Sequence, residues 1–300
     1  MRTCYLRIAG LMVGIGFKNV TNPRFTQPPM QYLPFACKVP EKEQDVFMSF
    51  VLDDEIEITP DDRREPIGNF YTGVEQMKHG VFRRACGGYY FCFYGSRGEV
   101  LYNLLCSHDF KKCILAFGRP QACSPEYAFN NALMIAYAFA AAGAGCLLMH
   151  SSTVVLDGKA YCFLGRSGTG KSTHSSLWLK NFEGTRLLND DNPVIRIEDG
   201  KAMVYGSPWS GKTPCYRQES APIAAVVMLK QAASNKMEPL DSTKALASML
   251  ASCTSMMWDK PTYTLLLHSM SRLISIVGVQ SLCCLPTDDA ALLSYNSLVR

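Results

Sequence analysis

Gly165-Arg166-Ser167-Gly168-Thr169-Gly170-Lys171-Ser172, with Thr173 behind it, fits the phosphate-binding pattern G-x-x-x-x-G-K-[ST] without a mismatch. The flanks carry as much information as the match. Ala160-Tyr161-Cys162-Phe163-Leu164 is a short apolar run that predicts a buried strand, and Ser172 through Leu179 predicts a helix. Strand, glycine loop and helix are the arrangement that phosphate binding needs. The glycines let the backbone curl so that its N–H groups meet phosphate oxygens at the positive end of the helix. Gly165, Ser167, Gly168, Thr169, Gly170, Lys171, Ser172 and Thr173 form the expected nucleotide-binding set. Lys171 adds a mobile charge for the β- and γ-phosphates, and the Ser172 hydroxyl is a candidate Mg²⁺ ligand.

A cradle of this kind needs a metal-binding carboxylate and, for transfer to an acceptor, a base. Asp190 and Asp191 follow one helix later, at the end of an apolar run, where such a carboxylate belongs. By itself Asn189-Asp190-Asp191-Asn192 would read as an acidic turn. Behind a phosphate loop, one carboxylate can hold Mg²⁺ while the other orients or deprotonates an incoming hydroxyl. His150, on the preceding strand, is either a structural histidine or a partner for an aspartate or a phosphate. Lys212, on the polar loop Ser207-Pro208-Trp209-Ser210-Gly211-Lys212-Thr213, and Arg217 suit charge neutralisation at a transferring phosphoryl group. His174 falls inside the loop's helix and reads as structural, and His79, His108 and His268 show no metal-ligand spacing.

Outward from the loop, Pro125 marks the expected boundary between a β-rich part, residues 1–125, and an α/β part, residues 126–300. In the second part a helix over Asn130–Ala142 leads to a strand, Cys146–Leu156, with a polar break at His150-Ser151-Ser152-Thr153. Asp157-Gly158 and Asp199-Gly200 read as two-residue hairpin turns. Strands are predicted near 185–188, 194–197, 223–229 and 277–285, and helices near 243–256, 263–275 and 288–298. In the first part, 5–17 reads as one strand bent near Gly10, 23–34 as a proline-rich loop, and 47–58 as a strand. Asp61 to Glu65 reads as a solvated turn, and 87–94 and 100–106 as strands joined by Gly95-Ser96-Arg97-Gly98.

Composition narrows the class further. Of 300 residues, 48% are apolar and 19% charged, enough for a sizeable core, and the net charge is only +4. Lys and Arg number fifteen on either side of Pro125, so neither half is a basic arm for nucleic acid or a membrane surface. The thirteen cysteines contain no C-x-x-C pair, and several lie in apolar runs, which points to reduced thiols in a cytoplasmic core. The start lacks the apolar core and cleavage site of a secretory signal. Residues 127–149 carry no charge, but their alanines, Asn130, Asn131 and Gly143-Ala144-Gly145 fit a buried helix followed by a strand better than a membrane span.

Met149-His150, the loop from Gly165 to Ser172 and the pair Asp190-Asp191 together resemble the catalytic domain of HPr kinase/phosphorylase, over roughly residues 126–300. The loop also looks like that of ATP-dependent phosphoenolpyruvate carboxykinase, whose nucleotide-binding fold the HPr kinases share. The resemblance implies an α/β P-loop kinase domain, here preceded by a smaller β-rich domain, with ATP and Mg²⁺ as cofactors. It further implies transfer of the γ-phosphoryl group to a hydroxyl acceptor: a serine of a protein or peptide, or a small molecule. His150 and both aspartates then belong to the active site. Asp190 takes the role of base and Asp191, with Ser172, the metal, with the reverse assignment left open. A homo-oligomer follows family habit, although no feature of this chain specifies one.

The departures define where the chain stands. Residues 1–125 do not resemble the N-terminal domain of the regulatory kinase. Arg166 replaces the acidic residue usual in its phosphate loop, and Ser207 to Lys212 stands where its glycine-rich signature would be. The chain therefore looks HPr kinase-like without being the HPr regulator. Carboxykinases are much longer and need more carboxylate- and metal-binding residues. A nucleotide-binding accessory protein without phosphoryl transfer, and a P-loop hydrolase, are the alternative readings.

Overall fold

The computed structural model describes residues 2–20, 25–72, 77–118 and 123–299, and the chain divides into two compact units, Met1–Ala140 and Ala141–Arg300. It is a mixed α/β protein with two sheets and a β-rich N-terminal part.

Nine strands build the first unit among its described residues: β1 (Arg2–Ile8), β2 (Leu11–Lys18), β3 (Ala36–Cys37), β4 (Met48–Asp53), β5 (Glu65–Thr72), β6 (Met77–Arg83), β7 (Tyr89–Tyr94), β8 (Val100–Cys106) and β9 (Lys112–Phe117). They lie in the order β3-β1-β2-β4-β9-β8-β7-β6-β5. The expected single strand over 5–17 is instead a hairpin. Ala9 and Gly10, at φ 46° and 80°, form a two-residue turn, and β1 pairs antiparallel with β2 from Arg2 against Phe17 to Ile8 against Leu11. The strand expected over 47–58 stops at Asp53, whose carboxylate accepts from Lys18 Nζ at 2.9 Å and Asn19 Nδ2 at 3.1 Å. In the charged turn, Asp62 is buried and accepts from Arg84 Nε at 2.7 Å and Thr59 N at 2.9 Å, so that turn is tied down and not merely solvated. Part of the proline-rich stretch lies outside the described residues, and Met30–Phe35 within it forms a 3₁₀ turn.

Helix α1 (Pro125–Ala142) starts five residues before the expected Asn130, with Pro125 at its first position and Ser124 Oγ accepting from Tyr127 N at 3.1 Å. All but its last two residues fall in the first unit, so the contacts draw the division near residue 140, where the sequence places it at 125. The reason is packing. Phe129 sits edge-on to Phe50, Tyr32 and Phe25 at 5.2–5.7 Å, and Tyr137 Oη donates to Ile8 O at 2.9 Å. No helix among the described residues is long and apolar enough to cross a membrane.

The second unit continues with β10 (Cys146–Leu148), β11 (Ser151–Leu156), β12 (Lys159–Leu164), α2 (Lys171–Asn181), β13 (Arg186–Asn189), β14 (Val194–Glu198) and β15 (Lys201–Tyr205). It closes with β16 (Ser220–Gln231), β17 (Lys236–Pro239), α3 (Ser242–Leu250), α4 (Lys260–Val277), β18 (Val279–Cys284) and α5 (Asp288–Leu298). The sheet runs β10-β14-β15-β16-β12-β11-β13, with β18 parallel to the end of β16 and β17 beyond it. Alternation along β12 explains how helices cover both faces. Cys162 and Leu164 join a core cluster with Met249, Met270 and Leu273 of α3 and α4. Tyr161 and Phe163 join another with Trp178 of α2 and Ala291 of α5. Burial pushes the Cys146, Cys162 and Cys253 thiols up to about 12, as expected for cysteines serving as small core residues.

Candidate active site

The glycine loop occupies residues 165–170, between β12 and α2. Gly165 holds φ 153°, and a Cβ there would lie 2.7 Å from Thr169 Oγ1 and 3.1 Å from Leu229 O, so a side chain would break the curl. Thr169 Oγ1 donates to Arg166 O at 2.8 Å, and Gln231 Nε2 donates to Gly168 O at 3.1 Å, fixing both sides of the loop. Lys171 is buried and its Nζ donates to Gly165 O at 2.9 Å and Arg166 O at 3.3 Å. Burial pulls its ammonium below the ordinary lysine value, and the charges of Asp191 and Asp190 oppose that pull. The three groups therefore share one electrostatic neighbourhood. Ser172 and Thr173 are exposed at the first turn of α2.

Asp190 and Asp191 follow β13 and differ in their surroundings. Asp190 is 5% exposed, and its Oδ2 is buried with no hydrogen-bond partner among the described residues. Ser152 Oγ lies 2.7 Å from Asp190 Oδ1 and 2.7 Å from Ser175 Oγ. A hydroxyl has one proton and a carboxylate only accepts, so Ser152 gives its proton to Asp190 and accepts from Ser175. That directed chain links α2 to the carboxylate. Asp191 has both oxygens engaged: Oδ1 lies 2.6 Å from His150 Nδ1, and Oδ2 accepts from Asn192 Nδ2 at 2.7 Å.

Asn189 and Ser207 lock this turn in place. Asn189 Oδ1 accepts from Asp191 N at 2.9 Å, while its Nδ2 donates to Ser207 Oγ at 3.2 Å and Trp209 O at 3.3 Å. Ser207 Oγ donates to Asn192 O at 2.6 Å. Backbone bonds from Ser151 N to Asp191 O (2.8 Å) and from His150 N to Ser252 O (2.6 Å) bind the break between β10 and β11 to the same place. A Cβ on Gly211 would stand 3.0 Å from Asp190 O and 3.3 Å from Asp191 Cβ, so the polar loop packs closely on the aspartate turn and a side chain there would require its neighbours to shift by a few tenths of an ångström. Lys212, next along, is exposed.

His150, Lys171, Asp190 and Asp191 are thus brought together, and Lys212 lies on the loop packed against the aspartate turn. Arg217 is placed differently. Its ion pair among the described residues is with Glu219, at 3.6 Å, and the Cys215 thiol, more than that carboxylate, raises its pKa. Reading the sequence missed Ser152, Ser175, Asn189 and Ser207. Small polar residues in strands and turns carry no spacing signal, and only the register of β11 against β12 and β13 reveals them.

His174 is structural, as the sequence predicts. Trp178 Nε1 donates to Ser294 Oγ at 2.9 Å, and Ser294 Oγ donates to Ala291 O at 2.9 Å. His174 Nε2, 3.0 Å from Ser294 Oγ, is left as a donor and so carries a proton. Burial pushes its pKa down to about 4.

An α/β unit with a glycine loop between strand and helix, a buried lysine and a paired carboxylate site is the class that fold and site define. Among known proteins, residues 127–274 match the family described as SynChlorMet cassette protein ScmC. The solved structure of the Hpr(Ser) kinase/phosphatase from Coxiella burnetii is similar at 13% identity over 50% of this chain and 92% of that one, with a TM-score of 0.27. At that score the likeness carries no statement about fold. No curated protein sequence matches.

Proposed function

We propose that the second unit is a Mg²⁺-dependent kinase transferring the γ-phosphoryl group of a nucleoside triphosphate, ATP by the resemblance of its loop, to a hydroxyl acceptor. One observation carries this reading: beside the buried Lys171 stand two carboxylates in different states of engagement, Asp190 with a free oxygen and Asp191 bound to His150. Mg²⁺ retains several waters and takes one or two carboxylates besides phosphate oxygens. Asp190 Oδ2 and the Ser172 hydroxyl are donors of that kind. When bound, the ion supplies charge neutralisation at the phosphates.

We therefore assign the metal side to Asp190 and the base to Asp191, the reverse of the order taken from the resemblance. His150 orients Asp191, which accepts the acceptor hydroxyl's proton. Lys171 and Lys212 offset charge on the transferring group. Beyond Thr173, where the α-phosphate end of a nucleotide emerges from such a loop, a cleft of about 670 Å³ is lined by Leu177, Leu229 and Leu285 and suits a nucleobase.

Titration with Mg-nucleotide and transfer of labelled phosphate from ATP into a cell extract test the reading on Asp190→Asn and Asp191→Asn. Asp191→Asn should keep Mg-nucleotide affinity and slow transfer by about 10²–10⁴-fold. Asp190→Asn should weaken both. Normal transfer by both variants would refute the mechanism.

A further inference from the structure

A second cleft, of about 500 Å³, opens on the other side of the phosphate loop and has no role in the reading above. It abuts the reacting end of the site at two points. The carbonyls of Gly165 and Arg166 in its wall accept from Lys171 Nζ, and the carbonyl of Ser252, also in its wall, accepts from His150 N at 2.6 Å. The nucleobase-sized cleft shares Thr169, Leu229 and Gln231 with this one but extends past Thr173 to Leu177, whereas this one extends to Gly165, Arg166 and Ser252. This second cleft thus lies against the loop carbonyls that hold Lys171 and the carbonyl that holds the His150 backbone.

Its chemistry is specific. Arg166 and Lys230 line it, both are exposed, neither has an ion pair among the described residues, and no acidic residue is in the lining. Ser252 is 4% exposed, and its Oγ is buried without a hydrogen-bond partner among the described residues. Such a hydroxyl in a cavity wall calls for a partner. The opposite wall is small: Ala247 and Ala251, about one helical turn apart and exposed, keep the mouth open.

We propose that this cleft binds the phosphoryl acceptor, and that the acceptor is a small anionic hydroxyl compound whose carboxylate or phosphate group is held by Arg166 and Lys230. The inference rests on the kinase reading and names its substrate class. The volume suits a metabolite-sized molecule. In the transfer, the acceptor oxygen forms a bond to the γ-phosphorus and the bond from that phosphorus to the β–γ bridging oxygen breaks. The bridging oxygen leaves with the electron pair on the nucleoside diphosphate, and the hydroxyl proton passes to Asp191. The cations hold the acceptor's fixed negative charge, which would otherwise be repelled by the triphosphate.

The test uses the full chain with Mg²⁺ and a non-hydrolysable ATP analogue. Glycerol 3-phosphate and glycerate serve as anionic probes and glycerol as the neutral probe, with binding followed by ligand-observed NMR. The anionic probes should bind at least tenfold more tightly than glycerol. Ala251→Trp, which fills the mouth, and Lys230→Glu should each weaken them at least tenfold while the analogue's own affinity stays within twofold. Equal binding of the three probes, or anion binding that survives Ala251→Trp, overturns the inference. If the parent chain fails to bind the Mg-analogue at all, the kinase reading falls and this inference with it. If it binds the analogue but shows no anion preference, only the acceptor assignment falls.

Discussion

Replacing Ser152 by alanine isolates the chain that couples α2 to the carboxylate site. Ser152 and Ser175 are no more than 1% exposed and Asp190 is 5% exposed, so water cannot replace a lost donor. In the parent, Ser152 Oγ serves Asp190 Oδ1 at 2.7 Å, and Asp190 Oδ2 already lacks a partner. The variant strips the second oxygen as well and leaves the Ser175 proton without its acceptor. A hydrogen bond to a charged group contributes about 1.5–3 kcal/mol, and the cost of stranding a buried partner is similar. Ser152→Ala should therefore destabilise the chain by about 2–3 kcal/mol, read from urea denaturation. The measurement that separates this bond from general packing is a double-mutant cycle with Asp190→Ala, where the coupling should be about 1.5–3 kcal/mol. A second readout follows from the metal assignment. Loss of a residue that orients a ligand typically lowers metal affinity by about 10–100-fold, so Mg²⁺-dependent nucleotide binding should fall by that factor. A coupling below about 0.5 kcal/mol, with unchanged Mg²⁺ titration, would refute the reasoning.

Lys171→Ala should abolish nucleotide binding while the thermal transition persists, because the lysine's hydrogen bonds among the described residues go to loop carbonyls; parental nucleotide affinity in a calorimetric titration would remove it from the site. Gly211→Val should impair transfer more than stability, since its side chain would crowd the backbone at Asp190; parental transfer rates would show that the loop yields. His174 gives a pH signature. Its folded pKa of about 4 lies below the ordinary histidine value of 6.5, so the unfolded chain takes up a proton that the folded chain refuses. Stability should thus be whole above pH 6.5 and decline by up to about 3 kcal/mol between pH 6.5 and pH 4. In His174→Phe that part of the decline should vanish, and equal slopes of denaturation midpoint against pH in parent and variant would contradict it.

Local chemistry made much of the second unit legible. The glycine spacing, the apolar strand before it and the helix after it describe one continuous segment, and short-range sterics decide such a segment. Asp157-Gly158 and Asp199-Gly200 turn where they do because both residues of each adopt positive φ. Other elements lacked that local determination. The hairpin at Ala9-Gly10 has alanine in a left-handed position, which sequence preference argues against, and the pairing of β1 with β2 holds it there. Strands β5, β6 and β9 were not read at all, since their place depends on neighbours many residues away.

The sequence by itself determined that a glycine loop stands between a strand and a helix, that a carboxylate pair follows it, and that His150 precedes both. Each of these rests on residue type and order along one stretch of chain. Tertiary structure alone decided the rest. Whether His150 meets Asp191, which aspartate keeps a free oxygen, and that Ser152 joins Ser175 to Asp190 are facts of strand register and helix packing between residues 23 or more apart in the chain. The same holds for α1, which by composition opens the second half but by packing belongs with the first sheet. A hydrophobic face says that a helix must be buried, and only the packed fold says against what.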